Sequence, residues 1–402
     1  MSLSGPATGY ITGTYVSEID NSAQPFAVWI PRSYSSRRKY PLLVALHGSD
    51  ADERMIPERC FQISERGFRE DMILLCPFGR GDVGYRWMGE ADVWDTMNWV
   101  KAHYRVDERR QYLTGLSMGG FATWRLACEY PEQWAAIAPV CGGGDLKLLP
   151  RLAEMPVWCV HGEADDVVPV EYSRVMAAEL NRFHGRCRYT ELKSWGHNSW
   201  EWLYDPARRD GGLPDWLLQH RRPTVPKSVK RPKRHGGFMD LFSEPLLISY
   251  ATGSSIDREK ELLRREANRL ACFTHADLAM RSGKILVRAD IEVSPEDLKT
   301  CNHLMIGRTD NHYWMKAAER RLNVRHRKGV LTVGQETYLG KSLLVLACRP
   351  SPFKTGRLLG IITYQQSHQL RLMSGAVLEA PLDLRRINIY DAQQKRFILR
   401  EG

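Results

Sequence analysis

Six apolar runs, each ending in a polar loop, constrain the fold of this 402-residue chain more than any other feature. Strands that are apolar on both faces are typical of parallel sheets covered by helices. Amphipathic helix patterns lie between them at residues 91–104, 120–131 and 170–185. The alternation predicts a doubly wound α/β domain whose sites lie at the carboxyl ends of its strands. The runs are FAVWI, YPLLVAL, MILLCPF, QYLTGL, WAAIAPV and MPVWCVH.

The distribution of charge indicates two domains. Residues 1–220 hold 24 Lys and Arg against 29 Asp and Glu, a net charge of −5, whereas the remainder holds 33 against 18, a net charge of +15. Between them the segment RRPTVPKSVKRPKRHGG, residues 221–237, contains three prolines and seven basic residues. Such a composition is typical of a solvated linker, which we favour over a nuclear or nucleic-acid signal at KRPKR. We predict domains at 1–222 and 238–402, joined by a linker at 223–237.

A second, smaller α/β pattern follows the linker. PLLISYATG, KILVRADIEV, NHLMIGRTD, SLLVLACRPSP and RLLGIITYQ are predicted strands, and GVLTVGQETYLG is a predicted hairpin. SSIDREKELLRREANRLACF, SPEDLKTC and NHYWMKAAERRL are predicted to contain or begin helices. A single glycine between strand and helix in YATGSSID is a weak anion-site signal, and we favour a structural role for it.

The segment QYLTGLSMGGFATWRLAC places Ser117 between an apolar strand and a helix. Gly115 and Gly119 flank this serine and allow the strand and the helix to approach closely. A Gly-x-Ser-x-Gly pattern in this setting is typical of a nucleophile elbow, which exposes the serine oxygen above the sheet. We therefore predict that Ser117 is a nucleophile rather than a structural serine.

A serine nucleophile needs a base and an orienting carboxylate, here in the chain order Ser, Asp, His. The strand VWCVHG leads into a loop with Asp165 and Asp166, either of which can supply the carboxylate. The later strand RYTEL leads into a glycine turn with His197, the predicted base.

An oxyanion hole needs two backbone N–H groups directed at the developing charge. Met118, directly after the predicted nucleophile, supplies one of them. The loop LHGSD supplies the other, at Ser49, because Gly48 lets the backbone turn toward the substrate. We expect His47 to brace this loop at the edge of the substrate pocket rather than to transfer protons.

These segments resemble the α/β-hydrolase esterases. The resemblance is carried by LVALHGSDAD, YLTGLSMGGFATWRLACEYPEQWAAIAPVCGGGD, VHGEADDVVPV and WGHNSW, and it covers roughly residues 10–222. It points to the branch related to phospholipase/carboxylesterases, feruloyl-type and polyester depolymerase-type esterases, and the prolyl-oligopeptidase hydrolase domain. It implies Asp165, the first aspartate of its motif, as the triad acid and His197 as the base, with no metal or cofactor.

The second part resembles, more faintly, the C-terminal extension of some large bacterial esterases. That likeness implies a small Rossmann- or flavodoxin-like domain and is carried by GGFMDLFSEPLLISYATGS and the region from Cys301 to Pro352. The chain departs from the usual ending of such extensions at CRPSPFKTGRLLG, where an asparagine- and proline-rich segment is common.

Two readings of the activity stay open at this point. The first is a serine esterase, with Trp87, Trp195 and Trp200 as candidates for an aromatic substrate pocket, although core packing explains tryptophans equally well. The second is a serine peptidase of prolyl-oligopeptidase type, which is less favoured because no propeller precedes the hydrolase pattern.

The basic C-terminal part adds a different class of function, the binding of an anionic polymer such as an acidic polysaccharide or nucleic acid. A structural alternative is that this domain restricts access to the hydrolase site.

The nine cysteines show no metal-ligand spacing, and buried free thiols are favoured over one or two disulfides. No apolar stretch is long enough to span a membrane and no signal peptide is visible at Met1. The sequence as given predicts a cytoplasmic protein, or an extracytoplasmic one if a leader has been removed, and it leaves the oligomeric state open.

Overall fold

The structure, a computed structural model, describes residues 7–183, 186–208, 212–230, 232–233, 237–271, 285–316, 323–327, 330–339, 343–371, 387–394 and 396–401. The chain divides into two compact units. The first comprises residues 1–15 and 24–230, and the second comprises residues 16–23 and 231–402. Residues 223–230, from the predicted linker, thus lie in the first unit.

The first unit contains one eight-stranded sheet in the order β1-β2-β4-β3-β5-β6-β7-β8. Strand β2 pairs antiparallel with β4, and the neighbours from β4 to β8 pair in parallel. The strands are β1 (Gly9–Val16), β2 (Ala23–Ile30), β3 (Tyr40–Leu46), β4 (Ile73–Pro77), β5 (Val106–Leu116), β6 (Ala136–Val140), β7 (Pro156–Gly162) and β8 (Arg186–Leu192).

Helices cover both faces of this sheet. They are α1 (Ile63–Arg66), α2 (Met88–His103), α3 (Met118–Glu129), α4 (Glu171–Arg182), α5 (Trp200–Tyr204) and α6 (Gly212–Leu218). A π-helical turn spans Met55–Cys60, and 3₁₀ turns span Pro131–Gln133 and Leu146–Leu152. The predicted α/β-hydrolase architecture is confirmed.

Alternation along the strands divides the core into two layers. Leu42 and Val44 of β3 pack with the layer that includes α2, α3 and α4, whereas Leu43 and Ala45 pack with the layer that includes α1, α5 and α6. Side chains of successive strand residues point to opposite faces, so a strand buried on both faces must be apolar throughout. All seven residues of β3 are buried, which explains the unbroken apolar run in the sequence.

The second unit contains a seven-stranded sheet in the order β10-β9-β11-β16-β15-β17-β18 and a three-stranded sheet β12-β13-β14. Its strands are β9 (Leu246–Tyr250), β10 (Leu286–Ala289), β11 (Asn302–Ile306), β12 (Val324–Arg327), β13 (Val330–Val333), β14 (Glu336–Leu339), β15 (Leu343–Pro350), β16 (Leu358–Tyr364), β17 (Ile387–Asp391) and β18 (Arg396–Glu401). Within its described residues, the helices with assigned bounds are α7 (Asp257–Ala271) and α8 (Asp297–Thr300), with 3₁₀ turns at Phe238–Ser243, Asp290–Glu292 and Ser367–Gln369.

This second unit is a mixed α/β structure. Strands β10, β9, β11 and β16 pair in parallel, while β15, β17 and β18 extend the sheet antiparallel. The short connections from β15 to β16 and from β17 to β18 favour antiparallel pairing, since a parallel pair needs a crossover. Residues 313–316 of the helix expected in NHYWMKAAERRL are helical, and the rest of that prediction, from residue 317, lies outside the described residues.

A buried polar chain crosses the parallel part of the second unit. The Ser249 hydroxyl lies 2.7 Å from His303 Nε2 and 2.9 Å from His312 Nε2. The Met315 N–H donates to His312 Nδ1, so His312 carries its proton on Nε2 and donates to Ser249, which donates to His303. Both imidazoles are therefore neutral, and burial lowers the pKa of each to about 3.

Acidification should destabilise the second unit. In the unfolded chain these histidines bind protons as the pH falls through about 6.5. In the folded unit they bind them only near pH 3. The unfolded state therefore binds more protons between these values, and its free energy falls relative to the folded state. Hydrogen exchange should show lower protection of β9 and β11 at pH 5 than at pH 7, by about 1–2 kcal/mol per histidine.

The matched variant is His312→Gln, in which the amide N–H can still donate to Ser249. It should reduce the pH dependence of that protection. Equal pH dependence in the variant and in the parent protein would contradict this assignment.

Candidate active site

Ser117 occupies a sharp turn between β5 and α3. Its φ and ψ are +54° and −118°, outside the regions that a serine ordinarily adopts, and such strain costs about 1–3 kcal/mol. A Cβ on Gly119 would lie 2.1 Å from the Leu46 carbonyl oxygen, and one on Gly115 would lie 2.4 Å from that of Gly119. Both positions therefore require glycine for β3, β5 and α3 to pack this closely, as the sequence indicated.

The other two predicted triad residues lie next to this turn. His197 Nε2 lies 3.0 Å from Ser117 Oγ, and His197 Nδ1 lies 2.8 Å from Asp165 Oδ2. Because the carboxylate only accepts, Nδ1 carries the proton and Nε2 is free to accept from the serine hydroxyl. The structure thus brings Ser117, His197 and Asp165 into one hydrogen-bonded chain, which is the arrangement of a serine hydrolase.

The carboxylate of Asp165 is buried and fully hydrogen-bonded. Its Oδ1 accepts from the N–H groups of Val167 at 2.9 Å and Val168 at 2.8 Å. Burial opposes ionisation, but the hydrogen bond from His197 and those from the two backbone N–H groups outweigh it and lower the pKa of Asp165. Asp166, the other candidate in the sequence, is exposed.

The predicted oxyanion-hole residues lie at the same edge of the sheet. A Cβ built on Gly48 would lie 3.4 Å from Ser117 Cβ, so the loop after β3 passes close to the nucleophile. Among the hydrogen bonds of the described residues, none uses the N–H of Ser49 or of Met118. Met118 is also the first residue of α3, where the helix dipole favours negative charge.

His47 braces this loop, and its side chain is buried. Its Nδ1 lies 2.7 Å from the Gly48 carbonyl oxygen and its Nε2 lies 2.8 Å from that of Phe78. Burial lowers the pKa of His47, against the opposing effect of these two carbonyl oxygens. The Asp50 N–H donates to Asp82 at 2.9 Å, so the loop after β4 supports the loop after β3 at two points.

The three tryptophans named from the sequence differ in position. Trp200 packs its ring edge-on to His197, with ring centroids 5.2 Å apart. The Trp195 carbonyl accepts from the Ala164 N–H at 2.8 Å, which joins the loops of the acid and the base. Among the described residues, no hydrogen bond or ring-stacking contact joins Trp87 to the triad, but Trp87 repeats the strained backbone of Ser117, with φ +51° and ψ −113°.

Three features near the triad were not anticipated. His161 Nε2 lies 3.0 Å from Asp165 Oδ2. Phe121, whose N–H donates to the Ser117 carbonyl, packs edge-on to Tyr172 at 5.6 Å. Tyr172 and Val167 are 51% and 64% exposed, so apolar surface lies beside the nucleophile and the acid. The histidine was visible in VHGEAD, but the sequence does not show which way it points.

Cys141, Asp165 and His197 are close enough to offer one ligand atom each to a metal ion. The carboxylate and the imidazole already hydrogen-bond each other, and burial raises the pKa of Cys141 to about 12. A protonated thiol is a poor metal ligand, so these residues do not fit a resident metal. Eight of the nine cysteines fall within described residues, all as free thiols.

Part of the chain is similar to known esterases. Residues 17–143 match the family model described as a putative esterase. The matched segment includes Ser117 and the loop after β3, and it ends before Asp165 and His197. The predicted resemblance to such esterases is therefore confirmed.

Two curated proteins align with parts of the chain. The bifunctional acetylxylan esterase/xylanase XynS20E of Neocallimastix patriciarum is 31% identical over 142 residues, which is 32% of this chain and 20% of that protein. Poly(3-hydroxyalkanoate) depolymerase C of Paucimonas lemoignei is 40% identical over 67 residues, 16% of each protein. The chain thus spans a fifth or less of the length of either relative.

A solved structure titled as a thermostable esterase is 29% identical, with a TM-score of 0.47, and the match covers 53% of this chain and 63% of that one. No helix within the described part of the chain combines the length and hydropathy needed to cross a bilayer.

Exchange of the two aspartates tests the triad assignment. Asp165→Asn should lower kcat for an ester substrate about 10⁴-fold, because the amide no longer selects the His197 tautomer with Nε2 free. Asp166→Asn should stay within a few-fold of the parent protein, because that side chain is exposed. Steady-state kinetics on both variants measures the contrast, and a large loss in Asp166→Asn alone would refute the assignment.

Proposed function

We propose that the protein is a serine esterase that cleaves carboxylic esters through an acyl-enzyme. The observation that carries the proposal is the hydrogen-bonded chain from Ser117 through His197 to Asp165. The match of residues 17–143 to an esterase model supports ester rather than amide substrates.

In the first half-reaction Ser117 Oγ attacks the ester carbonyl as His197 Nε2 takes its proton. Asp165 holds the imidazole in place and stabilises the imidazolium that forms. The N–H groups of Ser49 and Met118 stabilise the tetrahedral oxyanion, an interaction worth about 10²–10³-fold in kcat for each donor. His197 then protonates the leaving alcohol, and the ester bond breaks to leave Ser117 acylated.

In the second half-reaction water attacks the acyl-enzyme. His197 removes a proton from the water and returns one to Ser117 Oγ as the carboxylic acid leaves. The chemistry draws only on these side chains and the backbone N–H groups.

The surroundings of the triad favour an ester with an apolar or aromatic group. Tyr172, Val167 and the ring of Phe121 present apolar surface beside the reacting groups. Trp87, held in a strained turn on a loop at the same edge, is the pocket residue that we propose from the sequence. The relatives named as an acetylxylan esterase and a poly(3-hydroxyalkanoate) depolymerase act on polymer-borne esters, which adds polymeric substrates to this class.

Turnover of a graded ester series tests the proposal. The intact protein should hydrolyse p-nitrophenyl esters from acetate to decanoate and methyl ferulate, and Ser117→Ala should abolish turnover because it removes the hydroxyl that hydrogen-bonds His197 Nε2. Trp87→Ala should change the chain-length preference and leave the reaction with acetate nearly unchanged.

The matching p-nitroanilides separate an esterase from a peptidase. Cleavage of the anilides but not of the esters would favour the peptidase alternative. Ester turnover that persists in Ser117→Ala would contradict the proposal itself.

We also propose that the basic part of the chain, with its net charge of +15 from residue 221 onward, binds an anionic polymer. The intact protein should be retained on immobilised heparin or polygalacturonate and released by moderate salt, because such contacts are screened. Ser117→Ala should be retained equally. Passage through both columns at low salt would refute this proposal.

A further inference from the structure

His161 lies at the end of β7, four residues before Asp165, and its side chain is fully buried. Its Nε2 lies 3.0 Å from Asp165 Oδ2 and 2.9 Å from the Val168 carbonyl oxygen. Two acceptor oxygens face this nitrogen, so it carries a proton. Burial lowers the pKa of His161 in spite of these two oxygens, so the imidazole is neutral.

The opposite nitrogen of His161 is held by a serine. Nδ1 lies 2.7 Å from Ser173 Oγ, and in the neutral imidazole it accepts the hydroxyl proton. The Gly142 carbonyl oxygen, 2.9 Å from the same hydroxyl, is its alternative acceptor. Ser173 on α4 therefore fixes the ring plane and the tautomer of His161.

We propose that His161 is a positioning residue of the triad, which donates to the same carboxylate oxygen of Asp165 that accepts from His197. This inference rests on the proposed function and deepens it. Oδ2 accepts from two imidazoles and Oδ1 accepts from two backbone N–H groups, so all four lone-pair positions of the carboxylate are occupied. The carboxylate cannot rotate without losing several hydrogen bonds.

The hydrogen bond from His161 also lowers the basicity of the Asp165 carboxylate. A carboxylate that accepts from His161 is a weaker base toward His197, so the imidazolium of His197 is stabilised less than it would be by a carboxylate with three donors. Loss of the His161 donor should therefore raise the pKa of His197 and move the acid limb of the pH profile to higher pH.

The other titratable groups near His161 and His197 do not change charge in the pH range of the experiment, so they do not obscure the shift of the acid limb. The pKa of Cys141 is raised to about 12 by burial, so its thiol stays neutral. The pKa of Glu191 is lowered to about 2 by hydrogen bonds from Arg174 and Tyr189, so it stays ionised. Asp165, which faces both rings, has a lowered pKa and stays ionised as well.

Three substitutions at this position separate donation from packing. His161→Leu keeps approximate size and removes the donor. His161→Gln has an amide N–H that can reach the position of Nε2. His161→Asn is too short to reach Asp165, although its amide can still meet Ser173. The measurements are kcat and KM for p-nitrophenyl butyrate from pH 5 to 9, with circular dichroism and thermal unfolding as folding controls.

We expect His161→Leu and His161→Asn to lower kcat about 10–100-fold with little change in KM, because each removes a hydrogen bond to a charged carboxylate. In both variants the acid limb of kcat/KM should move up by about one pH unit. His161→Gln should keep kcat and the acid limb of the pH profile close to those of the parent protein. Ser173→Ala, which keeps the donor but frees the ring, should give a smaller shift in the same direction.

Folded Leu and Asn variants with the parent kcat and pH profile would overturn the proposal. So would a Gln variant as impaired as the Leu variant, since that result would mark a packing role. If the Leu variant does not fold, the contrast between the Asn and Gln variants distinguishes a positioning role of His161 from a packing role.

NMR titration of the His197 ring resonances measures the same pKa without turnover. It therefore tests His161 even if the protein hydrolyses no ester. In that case the proposed function fails, while an upward shift of the His197 pKa in His161→Asn would still support the positioning role.

Discussion

The sharp turn at Ser117 is the constraint on which the site depends. The end of β3, the end of β5 and the start of α3 meet there at distances that leave no room for a Cβ at Gly115 or Gly119. This close packing places the nucleophile at a helix N-terminus, beside the loop that holds Ser49. The buried strands on either side supply the rigidity that keeps a backbone strained by about 1–3 kcal/mol in place.

The rest of the site is organised around one buried carboxylate. Asp165 receives His197 on one side, His161 on another and two backbone N–H groups of its own loop. A buried charge is stable only when its hydrogen-bonding positions are filled, and here each filled position also orients a neighbour. The chain of contacts runs from Ser117 through His197, Asp165 and His161 to Ser173, so α4 helps to hold the triad residues in place.

Much of the first unit could be predicted from the sequence because its strands are buried on both faces. Apolar runs at β3, β4 and β7 and the strand-turn-helix signal at Ser117 are local features. Elements fixed by tertiary packing were not predicted: the edge strand β1 has a half-exposed pattern, and α5 and α6 are too short to show a period. In the second unit the antiparallel strands β17 and β18 were missed as well.

The same distinction applies to the site. Ser117 and His197 were predicted because each follows a predicted strand in the required chain order, whereas Asp165 was preferred to Asp166 only through the resemblance to esterases. The role of His161 was missed because it depends on the direction of the side chain, which points toward Asp165. No residue spacing in the sequence shows that direction. Trp200 was named only as a candidate for an aromatic pocket, whereas its ring packs on the base itself.

Mapping of a covalent adduct tests the central claim most directly. The intact protein is mixed with a fluorophosphonate or a slowly hydrolysed ester, digested, and examined by mass spectrometry. We predict one equivalent of label, on the peptide that contains Ser117, with loss of turnover in proportion to labelling. Label on another residue, or full turnover after Ser117 is blocked, would contradict the account.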